Sequence, residues 1–168
     1  MFEEEKEIRL HDFKKIRYLM SYIKNIVRYW DRKVSVPILE IWGSGQCNLR
    51  CKECSNRLPF VYQENMETDR VINSIGKLCM LAKLKKIVIS GGEPFFNEEL
   101  YKLILRISAV PEVEKIYIVT NGTIIPHEKT LSAMVKSKKT IKVVMNEYRG
   151  VPNRIQEIEI VLKERGIP

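Results

Sequence analysis

Three of the four cysteines lie close together in the sequence. Cys47, Cys51 and Cys54 have the spacing Cys-x3-Cys-x2-Cys, whereas Cys79 stands apart. Thiolates are soft ligands that suit zinc ions and iron–sulfur clusters. A structural zinc site has four protein ligands, and a fourth is hard to find in this sequence. The spacing therefore favours a four-iron cluster with one iron open to an exogenous ligand, with a zinc site as the alternative.

The fourth cysteine and the two histidines are weak candidates for a further ligand. Cys79 falls on the apolar face of a predicted helix, where a free cysteine behaves as a small core residue. His11 and His127 are remote from the three cysteines in sequence, and we interpret both as surface residues.

Polar segments follow the other predicted strands. Two adjacent glycines let the backbone approach a ligand closely and adopt positive φ. Asn-Gly is also a common turn sequence. The residues that we single out are Gly91, Gly92, Glu93 and Pro94, then Thr120 and Asn121, and finally Asn146.

The elements that must position these residues alternate regularly. Strands are predicted at 38–42, 86–90, 115–120 and 141–145, and helices are predicted from Thr68, Asn97, His127 and Asn153. Strand–helix alternation is typical of a parallel α/β fold. Right-handed crossovers place the carboxyl ends of all strands at one edge, where such folds build their sites. The cysteines and the polar segments are therefore expected to converge there.

An amphipathic helix is predicted ahead of this pattern, over about residues 7–33. One face is apolar and the other is basic, so the helix suits either a membrane surface or packing on the following domain. We favour packing on the domain or on a partner. The predicted division is residues 1–36 for this helix and 37–168 for the core domain, with Pro37 at the boundary.

Composition bounds the class of protein. The chain has 168 residues, 45% of them hydrophobic, and a net charge of +8, which is typical of a folded domain with a basic surface rather than of a disordered chain. No aromatic-rich nucleic-acid motif accompanies the charge. The sequence shows no transmembrane run and no secretory signal, so a cytoplasmic location is expected.

The cysteine spacing and the Gly-Gly-Glu-Pro segment resemble the radical S-adenosylmethionine (SAM) superfamily, over about residues 37–165. The resemblance implies a partial (β/α) radical SAM barrel, with the three cysteines holding a 4Fe–4S cluster and SAM chelating its open iron. Reductive cleavage of SAM would then give a 5′-deoxyadenosyl radical that abstracts hydrogen from a substrate. By the same resemblance, Gly91–Pro94 bind the amino group of SAM. Thr120 and Asn121 lie near its methionine end, and Asn146 lies near its carboxylate or ribose.

Two features distinguish this chain within the resemblance. Glu53 precedes the third cysteine, where the family usually has an aromatic residue. That acidic residue and the segments Cys54–Tyr62, Thr120–Pro126 and Asn146–Tyr148 resemble radical SAM proteins found beside glycosyltransferase and surface-polysaccharide genes. This narrower resemblance implies a carbohydrate-related substrate. Radical SAM barrels generally have six βα units, whereas four are predicted here, so we expect a truncated or minimal domain.

The leading functional hypothesis is a radical SAM enzyme that takes electrons from a partner such as flavodoxin or ferredoxin. A second hypothesis is an activase that generates a glycyl radical on a partner protein. The third is a module without catalytic activity that binds an iron–sulfur cluster or zinc.

The assignment of the ligands predicts that Cys51→Ala abolishes the intact cluster, because one of three thiolates is lost, whereas Cys79→Ala leaves it. Iron content and the visible absorption spectrum after anaerobic reconstitution measure both variants. Unchanged iron content in Cys51→Ala would overturn the assignment.

Overall fold

The computed structural model describes residues 15–24, 33–60 and 64–168. The chain forms two compact units, Met1–Val34 and Ser35–Pro168. In the first unit, residues 15–24 form helix α1. The remainder of the helix predicted over 7–33 falls largely outside the described residues.

A four-stranded parallel sheet with order β1-β2-β3-β4 follows, which confirms the α/β fold predicted from the sequence. Each strand is followed by a helix, as expected for four consecutive βα units. The elements are β1 (Val34–Ser44), α2 (Thr68–Leu81), β2 (Ala82–Gly91), α3 (Leu100–Ser108), β3 (Lys115–Thr120), α4 (Glu128–Lys136), β4 (Thr140–Met145) and α5 (Ile155–Glu164), with a short 3₁₀ turn at Pro94–Phe96.

The register of the sheet brings the strand ends together. Lys86 pairs with Lys115 between β2 and β3, and Thr120 pairs with Met145 between β3 and β4. Because the strands are parallel, the loops after them leave from the same edge of the sheet. The polar segments after β2, β3 and β4 therefore start side by side.

One face of the sheet forms the hydrophobic core. Ile87, Ile89, Ile116 and Ile118 alternate along the two central strands and are completely buried. They belong to one cluster with the apolar faces of the four helices that follow the strands, represented by Ile75, Ile104, Leu131 and Ile158. The residues between them in sequence, such as Val88 and Tyr117, lie on the opposite, less buried face.

The elements differ from the prediction mainly at their ends. Strand β1 includes Pro37, which was predicted to mark a boundary. An edge strand tolerates proline because some of its N–H groups need no partner in the sheet. Helix α2 begins at Thr68, the residue from which it was predicted, and Glu67 rather than Thr68 occupies the N-cap position. Helix α3 begins at Leu100 rather than at Asn97.

Within the described ranges, we find no helix that combines the length and the apolar character needed to span a bilayer.

Candidate active site

Seven of the ten predicted site residues line a cavity of about 330 Å³ at the carboxyl edge of the sheet. All three clustered cysteines line it, and none of them forms a disulfide. The cavity therefore joins segments from the ends of all four strands. The predicted residues that line it are Cys47, Cys51, Cys54, Gly91, Gly92, Asn121 and Asn146.

The cysteine loop, residues 45–60 as the structure describes it, leaves β1 through a hydrogen-bonded turn. The buried Ser44 hydroxyl donates to Asn65 Oδ1 at 3.0 Å and accepts the Gln46 N–H at 3.0 Å. Gly45 N–H also donates to Asn65 Oδ1 at 3.0 Å. These bonds fix the direction of the chain just before Cys47, which is half-buried, whereas Cys51 is exposed.

The loop crosses directly over the Gly-Gly segment. Gly92 N–H donates to the Ser44 carbonyl and Glu93 N–H donates to the Gln46 carbonyl, both at 2.9 Å. A Cβ on Gly92 would lie 1.9 Å from the Gln46 oxygen, and Gly91 has a φ of +104°. The glycines are therefore required by the approach of the cysteine loop itself, in addition to any role toward a ligand.

The Glu93 carboxylate points into the protein. It is completely buried, with Oε1 accepting the Thr120 hydroxyl at 2.7 Å and Oε2 accepting the Asn121 N–H at 2.7 Å. Oε1 also accepts the Phe95 N–H at 3.1 Å. Burial raises the pKa of Glu93 above its ordinary value, although these hydrogen bonds favour the charged form and lower the pKa in part. The side chain thus ties the end of β2 to the end of β3.

Glu93, Thr120 and Pro94 are buried and do not line the cavity, and the first two bind each other. Their direct contact with a cofactor stays a prediction. In the structure, Thr120 also accepts the Gly122 N–H at 3.1 Å and therefore shapes the turn after β3.

Asn121 connects this turn to the cysteine loop. Its side-chain amide donates to Asn48 Oδ1 at 3.0 Å and lies 3.8 Å from Cys47 Sγ. Its side-chain oxygen, Oδ1, accepts the Thr123 N–H at 3.0 Å. Asn48 and Thr123 were not predicted as functional residues, because no spacing rule marks a residue between two cysteines or a threonine after a turn.

The Cys47 thiol has a raised pKa in the metal-free protein. Burial is the main cause, and electrostatic interactions with Glu93 and Cys51 add to it. Hydrogen bonds from Leu49 N–H and Asn121 oppose this effect. A cysteine binds metal as a thiolate, so metal binding at Cys47 requires the thiol to lose its proton. The raised pKa makes this deprotonation less favourable than for an exposed cysteine.

Other cavity residues come from the less buried face of the sheet. Glu40 on β1 accepts a hydrogen bond from Ser90 on β2, and both line the cavity with Val119 on β3. Strand alternation could have identified Glu40, because it lies between the core-facing residues Leu39 and Ile41. Glu53 also lines the cavity.

The donor set fits an iron–sulfur cluster. Three thiols from one loop line a single cavity, and thiolates are the usual ligands of such clusters. In the ranges that the structure describes, no group of three or more His, Cys, Asp or Glu side chains is arranged around a single metal ion.

The fold and the cysteine-lined cavity define a member of a known class. The model of the radical SAM superfamily matches residues 43–147, which is more than half of the chain. The chain belongs to the radical SAM superfamily, a class of enzymes that use a 4Fe–4S cluster and SAM. The matched range includes all three cysteines and the segments after β2, β3 and β4, and the resemblance seen in the sequence is confirmed.

Several curated relatives are GTP 3′,8-cyclases. The chain is 33% identical over 92 residues to the enzyme of Clostridium perfringens (strain SM101 / Type A), covering 54% of this chain and 28% of the relative. It is 35% identical over 95 residues to that of Clostridium acetobutylicum, covering 55% and 29%. It is 29% identical over 136 residues to that of Stenotrophomonas maltophilia (strain K279a), covering 74% and 40%. The chain thus spans well under half of each of these relatives.

The contact between Gly92 and the cysteine loop predicts that Gly92→Ala destabilises the protein by about 1–3 kcal/mol, because backbone atoms must move to admit a methyl group. Iron incorporation should fall with it. Gly76→Ala in α2 is the matched control, since nothing lies within 4 Å of its added Cβ. That variant should gain up to about 1 kcal/mol from helix propensity. Urea unfolding and iron content are measured for both variants. Equal stability and equal iron content in Gly92→Ala and Gly76→Ala would contradict the prediction.

The raised pKa of Glu93 predicts a dependence of stability on pH. Because the folded state retains the Glu93 proton above the ordinary pKa of 4.5, the contribution of this carboxyl to stability falls as the pH rises through the folded pKa. Glu93→Gln lacks this titration. The free energy of unfolding of the wild type minus that of Glu93→Gln should therefore decrease as the pH rises above 4.5. Urea unfolding of the metal-free proteins from pH 4 upward measures it, and a difference that grows with pH would contradict the assignment.

Proposed function

We propose that this chain holds a 4Fe–4S cluster on Cys47, Cys51 and Cys54 and cleaves SAM reductively for radical chemistry on a substrate. The observation that carries the proposal is the shared cavity, in which these three thiols meet Gly91, Gly92, Asn121 and Asn146. When bound, the cluster supplies one electron to SAM, which yields methionine and a 5′-deoxyadenosyl radical.

The chain's own residues position and enclose the reactants. Gly91 and Gly92 contribute backbone to the cavity, and their lack of side chains admits the end of β1 and the cysteine loop that carries the thiols. The Asn146 amide supplies a polar group toward the carboxylate or ribose of SAM, and Asn121 lines the same cavity while its amide is bonded within the protein. Leu49, Leu58 and Val119 add apolar walls, which favour exclusion of water from a reactive radical.

Glu93 has a supporting role in this proposal. Because its carboxylate is completely buried and accepts hydrogen bonds from Thr120 and Asn121, it positions the loop after β3 rather than facing a ligand. The backbone bond from Glu93 N–H to the Gln46 carbonyl does the same for the cysteine loop. Together, the bonds made by the Glu93 carboxylate and by the Glu93 N–H bring Cys47 and Asn121 to the same side of the cavity.

The proposed partner is a one-electron donor protein such as flavodoxin or ferredoxin. The net charge of +8 favours a donor with an acidic surface. Two substrate classes follow from different observations. The resemblance of the cysteine loop favours a carbohydrate-related substrate, whereas the names of the curated relatives favour GTP.

The test is SAM turnover after anaerobic reconstitution. We expect four irons per chain, and equal amounts of 5′-deoxyadenosine and methionine from SAM under a low-potential reductant. Cys51→Ala is the control and should form neither product. Bound zinc, or a cluster that leaves SAM intact, would contradict the proposal and support a non-catalytic module.

Deuterium transfer from candidate substrates then distinguishes the activities. Label that moves into 5′-deoxyadenosine from GTP or a nucleotide sugar supports a small-molecule substrate. Label that moves from the glycine of a partner peptide selects the activase.

A further inference from the structure

We propose that Asn121 raises the reduction potential of the cluster through a hydrogen bond to Cys47. The inference rests on the proposed function, because it requires a cluster bound at Cys47. It assigns a redox role to a residue that sequence reasoning placed near SAM.

The amide of Asn121 reaches the thiol from a different strand. Asn121 follows β3 and is only 8% exposed, and its Nδ2 lies 3.8 Å from Cys47 Sγ. Leu49 N–H provides a second donor to the same sulfur at 3.4 Å. The backbone donor belongs to the cysteine loop and stays in place under side-chain substitution, whereas the Asn121 donor can be removed.

The orientation of the amide is fixed by its other bonds. Asn121 Oδ1 accepts both the N–H of Thr123 at 3.0 Å and its hydroxyl at 2.6 Å. A rotated amide would place its NH₂ group against the Thr123 N–H, with two donors facing each other. The NH₂ group must therefore point toward Cys47 and Asn48.

Three side chains close this arrangement into a ring. Asn121 donates to Asn48 at 3.0 Å, Asn48 donates to the Thr123 hydroxyl at 2.8 Å, and that hydroxyl donates back to Asn121 at 2.6 Å. Each group in the ring has a defined donor or acceptor role. The ring joins the cysteine loop to the turn after β3, and the bond from Asn121 N–H to Glu93 at 2.7 Å anchors the same residue from the other side.

The redox consequence follows from charge. A low-potential one-electron donor reduces the oxidised cluster, [4Fe–4S]²⁺, to [4Fe–4S]¹⁺, and the added negative charge is shared with the ligating thiolates. An N–H group that points at a ligating sulfur stabilises the reduced form more than the oxidised form. Hydrogen bonds to the sulfurs are among the factors that set the potential of such clusters.

The experiment is an EPR-monitored potentiometric titration of the reconstituted protein without SAM. Asn121→Ala removes the donor and should shift the midpoint potential to a more negative value. Asn121→Asp, which replaces the NH₂ group by a charged acceptor of similar shape, should shift it further in the same direction. Tyr148→Phe removes a polar hydroxyl from the same cavity and should leave the potential unchanged.

The outcomes separate this inference from the proposed function. Absence of a cluster in the wild type would overturn both. A full cluster with the same potential in the wild type, Asn121→Ala and Asn121→Asp would overturn the inference alone. If Asn121→Ala fails to retain iron, the midpoint potentials of Asn121→Asp and Thr123→Val test the inference instead. Unchanged potentials in both of these variants would overturn the inference.

Discussion

The arrangement of the site depends on one buried carboxylate. Glu93 lies at the end of β2, is completely buried, and accepts hydrogen bonds from the Thr120 hydroxyl and the Asn121 N–H at the end of β3. A buried acceptor that lost these donors would face a cost of several kcal/mol, so the three groups hold each other in place. The two strand ends therefore keep a fixed relation at the edge where the cavity forms.

Close backbone packing brings the third segment to the same place. The cysteine loop passes over Gly92 so tightly that no side chain fits there, and two backbone hydrogen bonds hold it. Cys47 is thereby placed beside Asn121, whose amide bonds to Asn48 of the loop. The site is thus positioned by backbone contacts and buried polar groups, while the exposed Cys51 and the half-buried Cys54 extend into the cavity.

This division of roles gives the family sequence pattern a physical meaning in this chain. The two glycines allow the loop to approach, and the glutamate after them links two strand ends. The asparagine after β3 reaches the thiol of Cys47. A residue that lines the cavity can be next in sequence to one that only supports it. Gly92 lines the cavity, whereas the side chain of Glu93 points into the protein interior.

The sequence alone determined the parallel α/β fold with its strand ends at one edge, and it predicts the three cysteines as ligands. Apolar periodicity and cysteine spacing are local signals, and β3 was predicted with the same bounds, Lys115–Thr120, that the structure shows. Only the tertiary structure decided that the Glu93 carboxylate turns inward and that Asn48, Asn121 and Thr123 form a ring. The bond between Glu93 and Thr120 joins residues 27 positions apart, and the bond between Asn48 and Thr123 joins residues 75 positions apart. No local sequence pattern indicates whether a polar residue after a strand is buried or faces the cavity.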